Sequence, residues 1–554
     1  MSWTEFPRTL DHLPADAQEA WLFESPAARQ SAERRLGIKL RSAYKTLLHE
    51  VLERGLLRGA ESASIRCPVV EGDDPDRFRL ECYPLSDLVA TRIRYEMVPH
   101  LGDGLPCYHI LRDDGITHEV PVPVRWREVA GVRLLSACGW QRSNDRPGSH
   151  LPTEYEAIFE AVCSHLGQID ISGSPPFFDR LEIRVEAPFE DVPLPVGDEH
   201  ISLAEALHED LYFTALEIFQ HRLGLPELSR SLLPGQVAPF IRFGETPRLN
   251  IRTTRPDPGE DPEFGDAASL ERAGHWIGAA TIKAHLDRLG GTAFEASSRQ
   301  GRPVWGRVVN EAAPMRLALS AGQHPNETSP MVGAMRAAQA LAGQGVGFTF
   351  CPLLNPDGYA LFRELCAIHP GHMHHAARYT AGGNDLTFGE GFENDALQQS
   401  RALSRADVHV NLHGYPSHEW TRPLTGYAPR GFARWAIPKG FFLILRHHPG
   451  YEDLGRRVLD AAIGAVAGHD AQMRVNREML ARYRSIFPEP DFEIAADAIP
   501  CDVQMREDEL FPVTLITEAP DETIQGEDFR IAQETQFRVV MAVANALSGD
   551  SLSV

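Results

Sequence analysis

Long apolar runs are missing from this sequence. The best apolar stretches are broken by charge within about ten residues, and none approaches the roughly 18 needed to span a bilayer. A soluble protein is therefore expected. The N-terminus, MSWTEFPRTLDHLPADAQEAW, has neither a basic n-region nor an apolar h-region, so a cytoplasmic location is expected. The eight cysteines (Cys67, Cys82, Cys107, Cys138, Cys163, Cys351, Cys366, Cys501) include no CxxC pair and no framework spacing, which argues against a disulfide scaffold and against a cysteine zinc site. Buried free thiols are expected instead. Positive charge is also scarce, 54 basic against 77 acidic side chains for a net charge of -23, and such a field repels phosphate backbones and anionic lipid heads. Neither nucleic acid nor a membrane is expected as a partner; homo-oligomerisation is left open. Repeats and low-complexity tracts are absent.

What is present is enough chain for two or three domains, 554 residues of which 43% are apolar. Acidic and Pro/Gly clusters punctuate it at GDDPDR (72–77) and RPDPGEDPEFGD (255–266), and the second reads as a domain boundary. The division expected is an α+β N-terminal region of unassigned role over 1–244 and a second domain over 245–554. Ser25-Pro26 can cap and open a helix whose apolar positions Leu36, Leu40, Tyr44, Leu47 and Val51 recur at helical spacing. SIRCPVV (64–70), RFRLECYPL (77–85) and VPVPVRWREV (120–129) read as strands. Ser202 and Glu205 form a capping box that opens an amphipathic helix to Leu223.

Past the boundary, helices alternate with short, almost wholly apolar strands, the pattern of a sheet buried on both faces, so this half is α/β. Four strands matter: MRLALSAG (315–322), GVGFTFCPLL (345–354), DVHVNL (407–412) and VTLIT (513–517). In open α/β sheets the site lies beyond the carboxyl ends of the strands, which directs attention to the residues just after them.

After the first strand, Gln323-His324-Pro325-Asn326-Glu327 sets an imidazole and a carboxylate three residues apart, a spacing that lets both meet one cation. Alone this pattern is weak in a chain with 23 histidines and could be a solvated turn. The apolar strand before it shifts the odds. The third strand hands the chain to His413-Gly414, where the alternative is a core histidine bonded to a backbone carbonyl. Two histidines and a glutamate with an open position are the donor set of catalytic zinc, whereas closed structural sites favour cysteine. After the fourth strand Glu518 occupies the place for a general base, with Glu522 and Glu527 as weaker candidates in the loop beyond.

The order of these motifs resembles the zinc carboxypeptidases, the family of carboxypeptidase A. The resemblance runs from SRQGRPVWGRVV (298–309), read as a strand pair with a Gly-Arg-Pro turn, through QHPNE, NPDGY (355–359), GNDL (383–386), NLHG (411–414) and TEAP (517–520) to a closing helix, ETQFRVVMAVANAL (534–547). It covers roughly 245–554, and agreement of six weak motifs in order is stronger than any one. It implies a catalytic domain with a mixed central sheet flanked by helices and one zinc ion per chain held by His324, Glu327 and His413. It further implies Glu518 as general base, Asp385 as the acceptor that orients His324, and Arg378 as the cation that stabilises the oxyanion.

Two features depart from the family. Where it carries Leu-Asn-Arg after the aspartate, to hold the substrate's terminal carboxylate, this chain reads Leu386-Thr387-Phe388; and no tyrosine lies between Arg484 and Glu518. His369, His372, His374 and His375 read as a loop over the cleft or, alternatively, a second metal site. His418, Glu419 and Arg422 are candidate substrate contacts, with His418 also a competing ligand. The expected activity is zinc-dependent hydrolysis of a peptide or peptide-like amide. The alternatives are a deacylase of small N-acyl amino acids resembling aspartoacylase and the desuccinylases, and a non-catalytic binding protein on the same fold.

Overall fold

In the computed structural model the described residues are 3–143, 146–227, 229, 231–256, 269–313 and 317–548. Most of the acidic cluster at 255–266, and residues 315–316 of the first apolar strand, lie outside them. The chain divides into two compact units, one of Met1–Thr254, His418–Ile437 and Arg484–Pro488, the other of Arg255–Ser417, Pro438–Tyr483 and Glu489–Val554.

The first unit is α+β. Strand Arg180–Ala187 pairs in parallel with Gln236–Phe243 and antiparallel with Arg248–Thr254, and separate four-stranded sheets are built on Glu19–Leu22 and on Ser62–Val69. The helix Leu203–Arg222 is buried along nearly its whole length, and Ser202 caps it by accepting from the Glu205 amide at 2.9 Å. Ser25 likewise caps a helix, accepting from the Ala28 amide. That helix is shorter than the apolar spacing predicts: it stops at Leu36, Gly37 takes φ +67° and bonds back to Glu33, and Lys39–Ser42 runs as a strand before a second helix, Thr46–Arg54. A left-handed glycine terminated a periodicity that continued past it by coincidence. RFRLECYPL is not a strand either. It forms one-turn helices at Arg77–Leu80 and Leu85–Leu88, and the buried Arg77 guanidinium donates to Glu81 four residues on, a pairing that only helical spacing permits.

The second unit is built on a nine-stranded mixed sheet whose strands are numbered here in chain order: β1 Thr292–Ser297, β2 Pro303–Val309, β3 Leu317–Ser320, β4 Phe348–Cys351, β5 Val408–Tyr415, β6 Phe442–His447, β7 Glu493–Ala495, β8 Ile499–Met505 and β9 Val513–Pro520. Their spatial order is β1-β2-β4-β3-β5-β9-β6-β8-β7. The central four, β4, β3, β5 and β9, are mutually parallel. They are the almost wholly apolar runs of the sequence, and they are buried on both faces. From β3 the chain crosses outward to β4, then returns to the other side of β3 to form β5. The strand order thus reverses between β3 and β5, the kind of switch point at whose carboxyl ends open α/β sheets bind their ligands. Helices Ser329–Gly343, Glu452–Ala467 and Glu527–Ser548 pack together, and Glu393–Ser404 covers β1, β2 and β4.

The eight cysteines are free, five buried and three half-buried. Among the described residues no helix is long and apolar enough to cross a membrane.

Candidate metal centre

His324 and Glu327 occupy the turn between β3 and the helix Ser329–Gly343, where the Glu327 amide bonds to the His324 carbonyl. His413 does not end its strand, as the sequence suggested, but lies inside β5, which runs on to Tyr415. Glu518 sits likewise inside β9, directly beside His413 in the parallel register. Parallel partners face the same side of a sheet, so the Glu518 side chain projects from the face that carries His413.

The three proposed ligands converge. His324 Nδ1 lies 2.9 Å from Glu327 Oε1, His413 Nδ1 lies 3.0 Å from Glu327 Oε2, and the two Nδ1 atoms are 3.1 Å apart. All three side chains are buried. Two ring nitrogens bound to one tetrahedral zinc at about 2.05 Å would stand about 3.3 Å apart, so the donors are arranged for a shared cation. The other nitrogen of His324, Nε2, faces Asp385 Oδ2 at 3.7 Å, on the side expected of an orienting acceptor. Burial raises the Glu327 carboxyl, but His324, Arg378 and His413 outweigh it and hold the group far below the usual carboxylate range.

The motifs around the ligands brace one another. Asn411 of NLHG donates to Gln323 of QHPNE at 3.1 Å, and Gln323 donates in turn to Thr387 at 2.8 Å. Asn355 of NPDGY caps the helix Pro356–Cys366 and donates to the Tyr379 carbonyl at 3.0 Å, holding the backbone beside Arg378. A Cβ on Gly358 would stand 2.5 Å from the Ala377 carbonyl, so only glycine allows that approach. Asp357 closes the set by accepting from Ser298, the Gln300 amide and Arg302 of the SRQGRP turn. Arg378 itself reaches the cluster, with Nη1 2.7 Å from Glu327 Oε1 and 3.8 Å from Glu522 Oε1.

Glu518 is pushed well above the usual carboxylate range by burial and then by Glu327, against Arg378 and Lys439. Glu522 is buried near Arg378 and His375, whereas Glu527 is exposed at the start of the closing helix and is no candidate base. The histidine loop is packed rather than open: His369 and His372 stack at 4.2 Å with ring planes 5° apart, and His374 bonds the His369 carbonyl.

Arg422 and His418, the candidate substrate contacts, are engaged by carboxylates. Both belong to the first unit, where Arg422 is held bidentately by Glu217 at 2.9 and 3.1 Å and His418 Nε2 faces Glu205 at 3.0 Å.

Three residues were missed. Gln536, on the closing helix, donates to the His413 carbonyl at 2.9 Å and accepts from Thr517. Its signal was a glutamine at a core-facing position of an apolar helix. Asp521 accepts from the Ser329 amide at 2.6 Å and packs on Gly414, where a Cβ would stand 2.4 Å from its Oδ1. Lys439 lies 4.7 Å from the Phe442 ring centre, and burial pulls its ammonium down to about 7 despite Glu518 and Asp491. Nothing in the sequence marked it.

No family model matches the chain, and no curated protein matches it. Solved structures do match, among them metallo-carboxypeptidases, each over about half of this chain. A metallo-carboxypeptidase from Burkholderia cenocepacia is 16% identical, with 50% of this chain and 70% of that one covered at a TM-score of 0.31. Carboxypeptidase A from Helicoverpa armigera is 10% identical over 51% and 75% at 0.31, and a metallo-carboxypeptidase from Pseudomonas aeruginosa 16% identical over 48% and 67% at 0.27.

Proposed function

We propose that the second unit is a zinc-dependent hydrolase of a peptide or peptide-like amide bond. The observation that carries this reading is the convergence of His324 Nδ1, His413 Nδ1 and the Glu327 carboxylate within 2.9–3.1 Å of one another. These are three buried donors of catalytic type at the switch point of a parallel sheet.

Bound there, zinc supplies Lewis acidity toward a carbonyl oxygen and toward water. Glu518, on the same face as His413, takes the proton of the attacking water and returns it to the leaving nitrogen. The Arg378 guanidinium, fixed by Glu327, offers positive charge where the carbonyl oxygen becomes anionic. Asp385 keeps the His324 ring turned so that Nδ1 meets the metal, and Gln536 holds the His413 backbone.

The test is elemental analysis of the purified full chain together with a panel of N-blocked peptides and amides. Wild type should carry zinc at this centre and cleave members of the panel, and His324→Ala should lose both that zinc and the turnover. A His324→Ala protein that kept wild-type zinc content and turnover would refute the assignment.

A further inference from the structure

The first unit holds a second set of the same donors. His200 on the short strand His200–Ile201, Glu205 in the first turn of the helix Leu203–Arg222, and His418 at the start of His418–Ile437 bring two imidazoles to one carboxylate. His200 Nε2 lies 2.8 Å and His418 Nε2 3.0 Å from the same oxygen, Glu205 Oε2, and His418 is also 3.1 Å from Oε1. The ring centres are 4.3 Å apart. His418 and Glu205 are buried, and the His200 side chain is 12% exposed, which leaves a way in for an ion and a place for solvent.

His200 Nδ1 lies 3.3 Å from the Asp198 carbonyl, so a proton held there would leave Nε2 available to an ion. In that tautomer the Nε2 lone pair meets a carboxylate oxygen, an arrangement that a cation between them stabilises. Without an ion Glu205 accepts from ring N–H groups; one divalent ion would serve both rings and the carboxylate together. The neighbouring acidic residue Glu419 is already engaged by Lys45 and by the Tyr427 hydroxyl, so it does not compete for the ion.

We propose that His200, Glu205 and His418 bind a second zinc-class divalent ion, which fastens the segment His418–Ile437 within the first unit. Such a site accounts for a glutamate at the capping-box position whose carboxylate is turned to two histidines.

The full-length chain, stripped with a chelator and reconstituted with zinc, is analysed for metal content as wild type, His324→Ala, His200→Ala, His418→Ala and His324→Ala/His418→Ala. Wild type should hold two zinc ions, each single variant one and the double variant none. His200→Ala, at the more exposed ligand, serves if His418→Ala does not fold. If wild type holds a single zinc that disappears in His200→Ala and persists in His324→Ala, this inference stands and the hydrolase centre falls. If His324→Ala retains no zinc, or if His200→Ala and His418→Ala both keep the wild-type zinc content, the second site does not exist.

Discussion

At the scale of single residues, two carboxylates that burial raises above their solution behaviour have different tasks. Glu518 faces the proposed centre without touching its ligands in the hydrogen-bonding sense, so Glu518→Gln, nearly isosteric and unable to accept a proton, should leave the metal bound. Turnover should fall by roughly 10²–10⁴-fold, the usual loss when a general base is removed. Parallel zinc analysis and kcat/KM on one substrate check this, and a variant with near-normal turnover would move the base elsewhere, Glu522 being next in line. Glu154 opens the helix Glu154–Gln168 in the first unit, and its Oε2 accepts from the Thr9 amide at 3.1 Å. Burial, then repulsion from Glu24, pushes it up to about 7 from the 4.5 of a free side chain. A raised carboxyl contributes stability that is complete below about 4.5 and is lost as pH climbs through about 7, on the order of 3 kcal/mol for a shift of this size. Denaturant unfolding of wild type between pH 5 and 8 should show that loss. Glu154→Gln should flatten it, and an unchanged slope would show that other groups carry the pH dependence.

At the scale of elements, the helix Ser329–Gly343 leaves room for the closing helix Glu527–Ser548 by having glycine at 333. A Cβ there would stand 2.5 Å from that of Gln536 and 2.8 Å from the Gln533 carbonyl. Since Gln536 holds the His413 backbone, Gly333→Val should destabilise the protein by about 1–3 kcal/mol through overpacking and weaken zinc binding by about tenfold or more. Gly343→Ala, at the far end of the same helix with open space around it, is the control and should do neither. Competition for zinc against a chelator, read beside thermal unfolding, separates the two effects; zinc affinity unchanged in a destabilised Gly333→Val would show that Gln536 does not position His413. Elements of this unit were legible because a parallel sheet buried on both faces writes itself as unbroken apolar runs, and the strands β3, β4, β5 and β9 fall on those predicted. Those of the first unit were less so. The pattern Leu36, Leu40, Tyr44 spans a helix end and a strand, and only Gly37 betrayed the break; RFRLECYPL alternates like a strand while its Arg77–Glu81 pair is helical. The candidate ligands stood out in the sequence because His324 and Glu327 follow the end of β3 and His413 lies close to that of β5. Gln536, Asp521 and Lys439 act across elements remote in sequence, which no local pattern records.

At the scale of the molecule, the chain leaves the second unit soon after His413, contributes His418–Ile437 to the first, and returns at Pro438. That excursion explains why Arg422 and His418, near a ligand in sequence, are engaged by Glu217 and Glu205 instead. With Arg422 committed and Thr387 standing where the resembled family carries asparagine, the Asn-Arg grip on a terminal carboxylate has no counterpart at those positions. The net charge of -23 adds a second reason, because its field disfavours the approach of an anionic peptide end and does so most at low ionic strength. A free α-carboxylate next to the scissile bond should therefore not be required. Measured on one peptide with its C-terminus free and amidated, kcat/KM should favour the free acid by less than about a hundredfold, equivalent to about 2.7 kcal/mol of transition-state binding. Raising the salt concentration should shift the ratio toward the free acid as the field is screened. A free-acid preference above that limit, rising as salt is lowered, would instead identify a cation that grips the carboxylate and return the enzyme to ordinary carboxypeptidase behaviour.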